Sequence, residues 1–186
     1  PFARYILVTA HRRENFGVPI NNICRAIKQL VTLRNDIEIV YPVHLNPNIR
    51  KPVFKNLKGV RRVHLLMPQP YFDFVRLMKN ASLILTDSGG VQEEAPSMGK
   101  PVLVLRERSE RMEAVNGGTV KIVGTHLDAI VREAVKALDG IGVSKKISPI
   151  SNPFGDGKAS ERIVDAILYY FGLGKRPLDF KPSEEK

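Results

Sequence analysis

Ser88, Gly89 and Gly90 form a turn of the kind that binds anions. They follow an apolar run at 83–85, which is typical of a buried parallel strand, and they precede a helix-forming segment that ends at Gly99. A helix that begins there would point unpaired backbone N–H groups and the positive end of its dipole at an anion. The glycines would let a phosphate approach the backbone, and Ser88 is a suitable N-cap. On this stretch alone, an ordinary capped junction between a strand and a helix explains the residues equally well.

Charged side chains near this turn could add to an anion site. Glu94 lies about one and a half helical turns further on, where its carboxylate could accept hydrogen bonds from a ribose diol. Arg106, Arg108 and Arg111 follow the next predicted strand, and guanidinium groups are suited to neutralise phosphate. Arg111 could equally be held as an ion-paired scaffold, because Glu110 is its neighbour.

Two histidines follow apolar runs that predict buried strands. His11 lies beside Arg12 and Arg13, whose charges would lower its pKa and keep the ring neutral if they are close in space. A nucleotide phosphate, a substrate hydroxyl and a partner carboxylate are all possible contacts for His11, and the alternative is a ring bonded to backbone. For His44, a site role and an ordinary turn between a strand and a helix stay equally open.

The segment from Gln69 to Phe74 could form part of a nucleobase pocket. Uracil offers one donor and two carbonyl acceptors, which main-chain groups of this segment could read. Phe74 lies either at the base of that pocket or in the core, and its helical spacing favours the core for the side chain. Gln69 could instead only cap the helix that follows.

The elements that must position these residues alternate between strand and helix. Apolar runs predict strands at 5–8, 37–43, 63–67, 83–85, 102–105 and 120–123, and helical spacing predicts helices at 19–33, 47–57, 71–80, 91–98, 125–138 and 159–171. Asn46 and Thr125 are the predicted caps of two of these helices. The pattern is typical of an α/β fold with a doubly wound, Rossmann-like parallel sheet, whose ligands bind at the carboxyl ends of the strands. We expect one domain over 1–174 and a flexible tail over 175–186.

The composition indicates a globular protein. Of 186 residues, 43% are apolar, no apolar run is long enough to cross a membrane, and no signal-peptide pattern is present. The single cysteine, Cys24, fits a reducing cytoplasm, where we expect the protein. The formal net charge of +10 is scattered, without a basic block interleaved with aromatics, so we expect no nucleic-acid partner. There is no Walker-type loop and no Cys/His cluster with metal spacing, so we expect no metal or cofactor.

Five longer motifs make one resemblance specific. They read HRRENFG (11–17), YPVHLNPN (41–48), LTDSGGVQEEAP (85–96), GKPVLV (99–104) and NPFGDGKA (152–159). Together they resemble the non-hydrolysing UDP-N-acetylglucosamine 2-epimerases, with the motifs in the same order over about residues 5–167.

The resemblance implies one half of a glycosyltransferase-B-type fold, in which two Rossmann-like domains enclose a cleft. The chain is similar to the C-terminal, nucleotide-holding half, so the N-terminal domain with the proton-transferring carboxylates would be absent. The family interconverts UDP-N-acetylglucosamine and UDP-N-acetylmannosamine by UDP elimination and re-addition. The implied partners are UDP and UDP-N-acetylhexosamine. We expect the full-length protein to be a homodimer and this fragment to be inactive alone.

The resemblance also implies roles for single residues. His11 would make a catalytic contact with the diphosphate region. The substrate-binding residues would be Gln69 and Phe74 at the uridine, Ser88, Gly89 and Gly90 at phosphate, Glu94 at the ribose and Arg111 along the cleft. Arg12 and His44 are candidates for a regulatory site, since some bacterial members bind a second, activating substrate molecule near His44. Met112 stands where the family more often has proline, which puts the role of Arg111 in question.

Two other functions stay open from the sequence. The donor-binding domain of a UDP-sugar glycosyltransferase would bind phosphate with the same kind of turn at 88–90, although the run at 11–17 argues against it. A non-catalytic module that binds nucleotide or nucleic acid would use the charge of +10. Its affinity for nucleic acid would fall steeply with salt.

Overall fold

The computed structural model describes residues 4–111, 115, 119–140 and 154–180. Within those residues, six parallel strands form one sheet: β1 (Tyr5–Thr9), β2 (Glu38–Pro42), β3 (Val63–Leu66), β4 (Leu83–Thr86), β5 (Val102–Val104) and β6 (Val120–Ile122). Their order is β3-β2-β1-β4-β5-β6, so the winding reverses between β1 and β4. The predicted doubly wound, Rossmann-like sheet is confirmed.

Helices cover both faces of this sheet. The described helices are α1 (Val18–Leu33), α2 (Pro47–Leu57), α3 (Tyr71–Asn80), α4 (Gly89–Ser97), α5 (Leu127–Leu138) and α6 (Ala159–Tyr170). Helices α1, α2 and α5 pack on one face, with α1 between the other two, and α3 and α4 pack on the opposite face. A short 3-10 helix, Arg13–Asn15, precedes α1.

The central strands β1, β4 and β5 are almost entirely apolar because both faces of the sheet are covered. Successive side chains of a strand point to opposite faces. In β1, Ile6 and Val8 accordingly pack in the core under α1, α2 and α5, while Tyr5 and Leu7 pack under α3 and α4. All four are buried, as expected for a central strand of a parallel sheet.

The reversal of winding brings two loops together. Thr9 at the end of β1 is in register with Thr86 at the end of β4. The backbone N–H of Asp87 then donates to the carbonyl oxygen of Thr9 at 3.2 Å. The loop after β1 and the loop after β4 therefore leave the sheet side by side, at the edge where ligands bind in such folds.

Element boundaries agree with the sequence to within a few residues, with two exceptions at helix starts. Helix α4 begins at Gly89, two residues before its predicted start, so both glycines belong to its first turn. Thr125 was expected to cap α5, but His126 occupies the N-cap position and makes no side-chain capping bond. Asn46 is confirmed as the cap of α2, since its Oδ1 accepts a bond from the N–H of Asn48 at 2.9 Å.

Helix α6 differs from the other helices because it has no buried residue. Its apolar side chains are open to solvent: Ile163, Val164, Ile167, Leu168, Tyr169 and Tyr170. Beyond it, the ring of Phe180 lies 5.6 Å from the guanidinium carbon of Arg162. The rest of the predicted tail, at 181–186, and the connection at 141–153 lie outside the described residues. No helix within those residues has the length and apolarity to cross a bilayer.

Candidate functional site

A buried carboxylate, Asp87, joins the two loops at the reversal point. Its side chain is 0% exposed, and Oδ2 accepts bonds from the backbone N–H groups of His11 and Arg12, each at 2.8 Å. The amide of Asn15 donates a third bond to Oδ2 at 2.8 Å and another to the carbonyl oxygen of Leu105 at 3.1 Å. Because buried polar groups are expensive to leave unpaired, this network fixes the loop that carries His11.

The two candidate histidines lie against each other. The rings of His11 and His44 stack with centroids 5.4 Å apart and an interplanar angle of 21°. His44 Nδ1 accepts a bond from the backbone N–H of Asn46 at 3.1 Å, so a neutral His44 carries its proton on Nε2. The loops after β1 and β2 therefore contribute to one cluster at the carboxyl edge of the sheet.

The environment of His11 favours its neutral form. Burial is the largest cause, and it lowers the pKa of His11 below the ordinary histidine value. The charge of Asp87 acts in the opposite direction, while His44 and Arg12 lower the pKa further. The sequence predicted that the pKa of His11 is lowered and that Arg12 contributes to the shift. It gave no sign that burial is the larger cause.

The start of α4 has the geometry of an anion site. Ser88 occupies the N-cap position with extended backbone, although its side chain makes no capping bond. Its backbone N–H donates instead to Thr86 Oγ1 at 2.9 Å. Gly89 and Gly90 are the first residues of the helix, so their N–H groups have no intrahelical acceptor. The helix dipole adds partial positive charge at the same point.

Arg111 lies directly on this turn. A Cβ added to Gly89 would come within 2.7 Å of the guanidinium carbon of Arg111, so glycine is what allows the close approach. Arg111 Nε donates to Glu93 Oε1 at 2.6 Å, and the guanidinium also pairs with Glu110. These interactions raise the pKa of Arg111, with the bond to Glu93 as the largest cause. Arg111 is thus ion-paired and adjacent to the turn at once.

A buried amide holds the loop of Arg111 against the turn. Gln92 is 0% exposed, and its Nε2 donates to the carbonyl oxygen of Ser88 at 3.2 Å. Its Oε1 accepts from Ser109 Oγ at 2.7 Å, and Ser109 Oγ in turn accepts from the N–H of Arg111 at 3.1 Å. Gln92 therefore fixes the loop after β5 relative to the start of α4.

Glu94 lies at the mouth of the same turn, as its spacing predicted. Its Oε1 is 3.9 Å from where a Cβ of Gly90 would stand. The hydroxyl of Tyr71 donates to Glu94 Oε2 at 3.0 Å, which raises the pKa of Tyr71. Since Tyr71 begins α3, the segment expected at the nucleobase adjoins the carboxylate expected at the ribose. A cavity of about 550 Å³ opens beside Glu94 and is also lined by Phe154 and Asp156.

The two residues expected at the uridine behave differently. Phe74 packs against the core under α3 and α4, which confirms the core location for its side chain. Gln69 is not a helix cap, because Pro70 occupies the N-cap position of α3 and Gln69 Nε2 donates to the carbonyl oxygen of Met67 at 2.7 Å. That bond ties the Gln69 side chain to the backbone of the segment between β3 and α3.

Arg106 and Arg108 are placed apart from the turn. Arg106 Nε donates to Glu14 Oε1 at 2.6 Å, and its Nη1 donates to Glu110 Oε2 at 3.0 Å. It therefore ties the loop after β1 to the loop after β5. Arg108 lines a different cavity, of about 320 Å³, together with Glu14 and Thr125. Neither arginine is arranged around Gly89 as Arg111 is.

The family follows from comparison with known proteins. A family model described as UDP-N-acetylglucosamine 2-epimerase matches residues 1–168. The chain belongs to this epimerase family. Its sheet is the doubly wound, Rossmann-like half of the glycosyltransferase-B-type fold that was expected from the motifs.

Relatives and solved structures of this epimerase family match the chain closely. The UDP-N-acetylglucosamine 2-epimerase of Escherichia coli strain K12 is 53% identical over 167 residues, which are 90% of this chain and 44% of the relative. The S. aureus MnaA–UDP co-structure superposes with a TM-score of 0.90 at 46% identity, covering 96% of this chain and 49% of the other. The Neisseria meningitidis UDP-GlcNAc 2-epimerase bound to UDP-GlcNAc gives a TM-score of 0.83 at 46% identity, covering 90% and 45%. The chain thus spans about half the length of the relatives it matches.

Sequence reasoning singled out the residues of the turn but missed those that hold it. Asp87, Asn15 and Gln92 are buried polar residues with central bonds in the network, and each lies within a motif quoted above. The available signal was position, since Asp87 directly follows a buried strand. Tyr71 was missed because an exposed aromatic residue at a helix start has no pattern of its own. Met112, the departure from the family, lies outside the described residues.

Proposed function

We propose that this chain is the UDP-binding half of a non-hydrolysing UDP-N-acetylglucosamine 2-epimerase. One observation carries the proposal: the first turn of α4, the guanidinium of Arg111 and the carboxylate of Glu94 meet at the carboxyl edge of the sheet. This arrangement offers donors to a phosphate and an acceptor to a ribose diol within one site. Membership of the epimerase family supports the epimerase over a glycosyltransferase donor domain with the same fold.

The proposed roles follow the geometry of each residue. Gly89 and Gly90 bind a phosphate through the N–H groups of the helix start, Ser88 donates its hydroxyl, which makes no capping bond, and Arg111 adds a positive charge beside them. Glu94 binds the ribose. Main-chain groups at Gln69 to Phe74 contact the uracil, which agrees with the core position of the Phe74 side chain. His11 contacts the diphosphate from the loop after β1, across the reversal point from the turn.

The contribution of this half to catalysis is electrostatic. In an elimination of UDP, negative charge develops on the diphosphate as the bond to the sugar breaks. Fixed N–H dipoles, a guanidinium and a histidine placed at that point stabilise the charge more in the transition state than in the ground state. The loops that carry these groups need little rearrangement, because the network around Asp87 and Gln92 already holds them in place.

The proton-transferring carboxylates are assigned to the other half of a longer protein. The matched relatives are about twice as long as this chain. The exposed apolar side chains of α6 are suited to be covered by that half, since burying exposed apolar surface adds stability. This chain alone is therefore inactive in epimerisation, with its UDP-binding domain ending near residue 174.

Three further assignments remain predictions. Arg12 and His44 lie beside His11, where a second substrate molecule could act on the site as a regulator. The homodimer of the full-length protein and the cytoplasmic location have no test in the contacts described above.

Calorimetric titration with UDP tests the proposal. We expect saturable binding by the parent chain, and a loss of about tenfold, or about 1.4 kcal/mol, in Ser88→Ala and in Glu94→Ala. Ser82→Ala, at the amino end of β4, and Glu161→Ala, on exposed α6, are the matched controls and should bind as the parent does.

The outcomes separate the parts of the proposal. Equal UDP affinity in the parent and both site variants would contradict the placement of the site. A parent that binds no UDP would contradict independent binding by this half. Turnover of UDP-N-acetylglucosamine by the chain alone would overturn the assignment of the carboxylates to the other half. A steep loss of nucleic-acid affinity with salt would favour the binding-module alternative instead.

A further inference from the structure

The two oxygens of the buried Asp87 carboxylate have different surroundings. Oδ2 accepts three hydrogen bonds, from the N–H groups of His11 and Arg12 and from the amide of Asn15. Oδ1 is equally buried, yet it has no hydrogen-bond partner among the described residues. His11 Nδ1, which can carry a proton, lies 3.5 Å from it. A buried oxygen without a partner is unusual, because its lost hydration is then uncompensated.

We propose, on the basis of the function proposed above, that Asp87 is the positioning residue of His11. The carboxylate holds the backbone of His11 through Oδ2 and directs the Nδ1 proton of the ring toward Oδ1. A contact of 3.5 Å is long for a hydrogen bond, but such contacts in ligand-free sites tighten when the ligand binds. The neutral ring then has its proton on Nδ1, and Nε2 is left with a lone pair.

This tautomer has a chemical consequence for the binding of a diphosphate. Phosphate oxygens are acceptors, so a lone pair on Nε2 offers them no hydrogen bond. Nε2 must first take a proton from solvent, which converts the ring to an imidazolium between Asp87 and the ligand. The free site holds His11 neutral, and the ligand supplies the negative charge that makes the proton favourable. Binding of UDP is therefore coupled to the uptake of a proton at His11.

Other titratable or charged groups lie near His11, and some of them affect its protonation. His44 stacks on the ring from the loop after β2, and Arg12 adjoins it in the chain; both oppose its protonation. Tyr41 is buried near Asp87, donating its hydroxyl proton to the carbonyl oxygen of Ala10 at 3.3 Å, and it stays neutral because burial raises its pKa. Asp87 is thus the group of this cluster that favours the imidazolium before the ligand arrives.

Nitrogen-15 NMR of the four histidines tests the tautomer in the free chain. His11→Gln identifies the His11 signals by their loss. At pH ~8, above the ordinary pKa of histidine, we expect the parent to carry the His11 proton on Nδ1. In Asp87→Asn, three donors still require an oxygen at the Oδ2 position, so the new amide must point its N–H₂ group at Nδ1. The proton should then move to Nε2.

A matched variant separates positioning from stability. Asn15→Ala removes one donor from Oδ2 and leaves Oδ1 facing the ring, so it should lower stability without changing the tautomer. A parent ring protonated on Nε2 overturns the proposal, whether or not Asp87→Asn folds. An unchanged tautomer in folded Asp87→Asn overturns it as well. Neither reading needs a nucleotide, so a failure to bind UDP would count only against the proposed function.

Calorimetry then measures the coupled proton. Titration with UDP at pH ~8 in two buffers of different ionisation enthalpy gives the number of protons taken up, and UDP itself is fully ionised there. We expect net proton uptake in the parent and much less in Asp87→Asn, whose Nε2 already carries a proton. Binding by the parent without proton uptake would overturn the coupling.

Discussion

The carboxyl edge of the sheet and helix α6 break the usual rule of burial in opposite ways. At the edge, the polar side chains of Asn15, Asp87 and Gln92 are at most 1% exposed. On α6, the apolar side chains of Ile163 and Ile167 are 59% and 52% exposed. Polar groups are usually outside and large apolar groups usually inside, so both regions call for a physical reason.

The two regions differ in which groups bond to them or cover them. The buried polar groups of the edge bond to one another and to backbone, and this order exists before any ligand arrives. The apolar face of α6 has no such completion within the described residues. In the proposal above, the first region binds a charged small molecule and the second is covered by another surface. Four measurements test this contrast.

The largest expected effect comes from removing the carboxylate at the centre of the edge. Asp87→Ala leaves the N–H groups of His11 and Arg12 and the amide of Asn15 without their acceptor in a buried place. We expect a loss of about 3–5 kcal/mol in the free energy of unfolding, measured by urea denaturation. Asp165→Ala on exposed α6 is the control, and its change should stay within about 0.5 kcal/mol. Similar losses in the two variants would remove the contrast between the regions.

Adjacent glycines of the turn should respond differently to alanine. Gly90 is exposed and its nearest atom, in Glu94, is 3.9 Å from an added Cβ, so Gly90→Ala should stabilise the chain by about 0.5–1 kcal/mol. Gly89→Ala must displace the guanidinium of Arg111 and disturb its pairing with Glu93, which offsets most of that gain. Urea midpoints give the comparison. An equal gain in both variants would show that Arg111 does not rest on Gly89.

The neutral His11 makes stability depend on pH in a defined direction. Its pKa in the folded chain lies below the unfolded value near 6.5, mainly because of burial. The unfolded chain therefore takes up the proton first as pH falls, and the stability that the neutral ring contributes above that value is lost on acidification. Relative to His11→Asn, the parent should lose stability between pH ~8 and pH ~5. A difference that stays constant with pH would contradict the neutral ring.

The smallest effect on stability is expected on α6. Ile163→Ser with Ile167→Ser removes apolar surface that is already exposed, so the free energy of unfolding should change by no more than about 0.5 kcal/mol per site. Self-association of the chain, measured by sedimentation, should fall in the double variant because less apolar surface is available for contact. A large loss of stability would show that α6 is packed within the chain itself.

The fold was predictable because its signals are local. The buried strands are continuous apolar runs, and α1 has apolar residues at helical spacing from Ile20 to Val31. Parallel strands joined by helices leave few arrangements, so a doubly wound sheet was predictable, whereas the order of its strands was first seen in the structure. The errors fell at helix starts, as at Thr125, where several polar residues compete for the capping position and sequence does not rank them.

The location of the candidate site was predictable from the sequence, but most of its hydrogen bonds were not. The types and spacing of Ser88, Gly89 and Glu94 are compatible with an anion and a diol site, but an ordinary capped junction explained them equally well until the longer motifs were considered. The buried acceptor Asp87 and the amide Gln92 act across loops that are far apart in sequence. Such contacts depend on the three-dimensional path of the chain, which the spacing of residues does not encode. The same reason explains why Arg106 was grouped with Arg111, although it binds Glu14.

The guanidinium of Arg111 is paired with two carboxylates. Before any ligand is present, Glu93 and Glu110 already occupy the guanidinium, and so act as internal competitors for it. An anion that reaches Gly89 would therefore meet a guanidinium whose charge is already partly balanced. If the proposed site binds anions, we expect a doubly charged group to compete with these carboxylates better than a singly charged one does. The two glutamates would then weaken the binding of every anion while favouring the more highly charged ones.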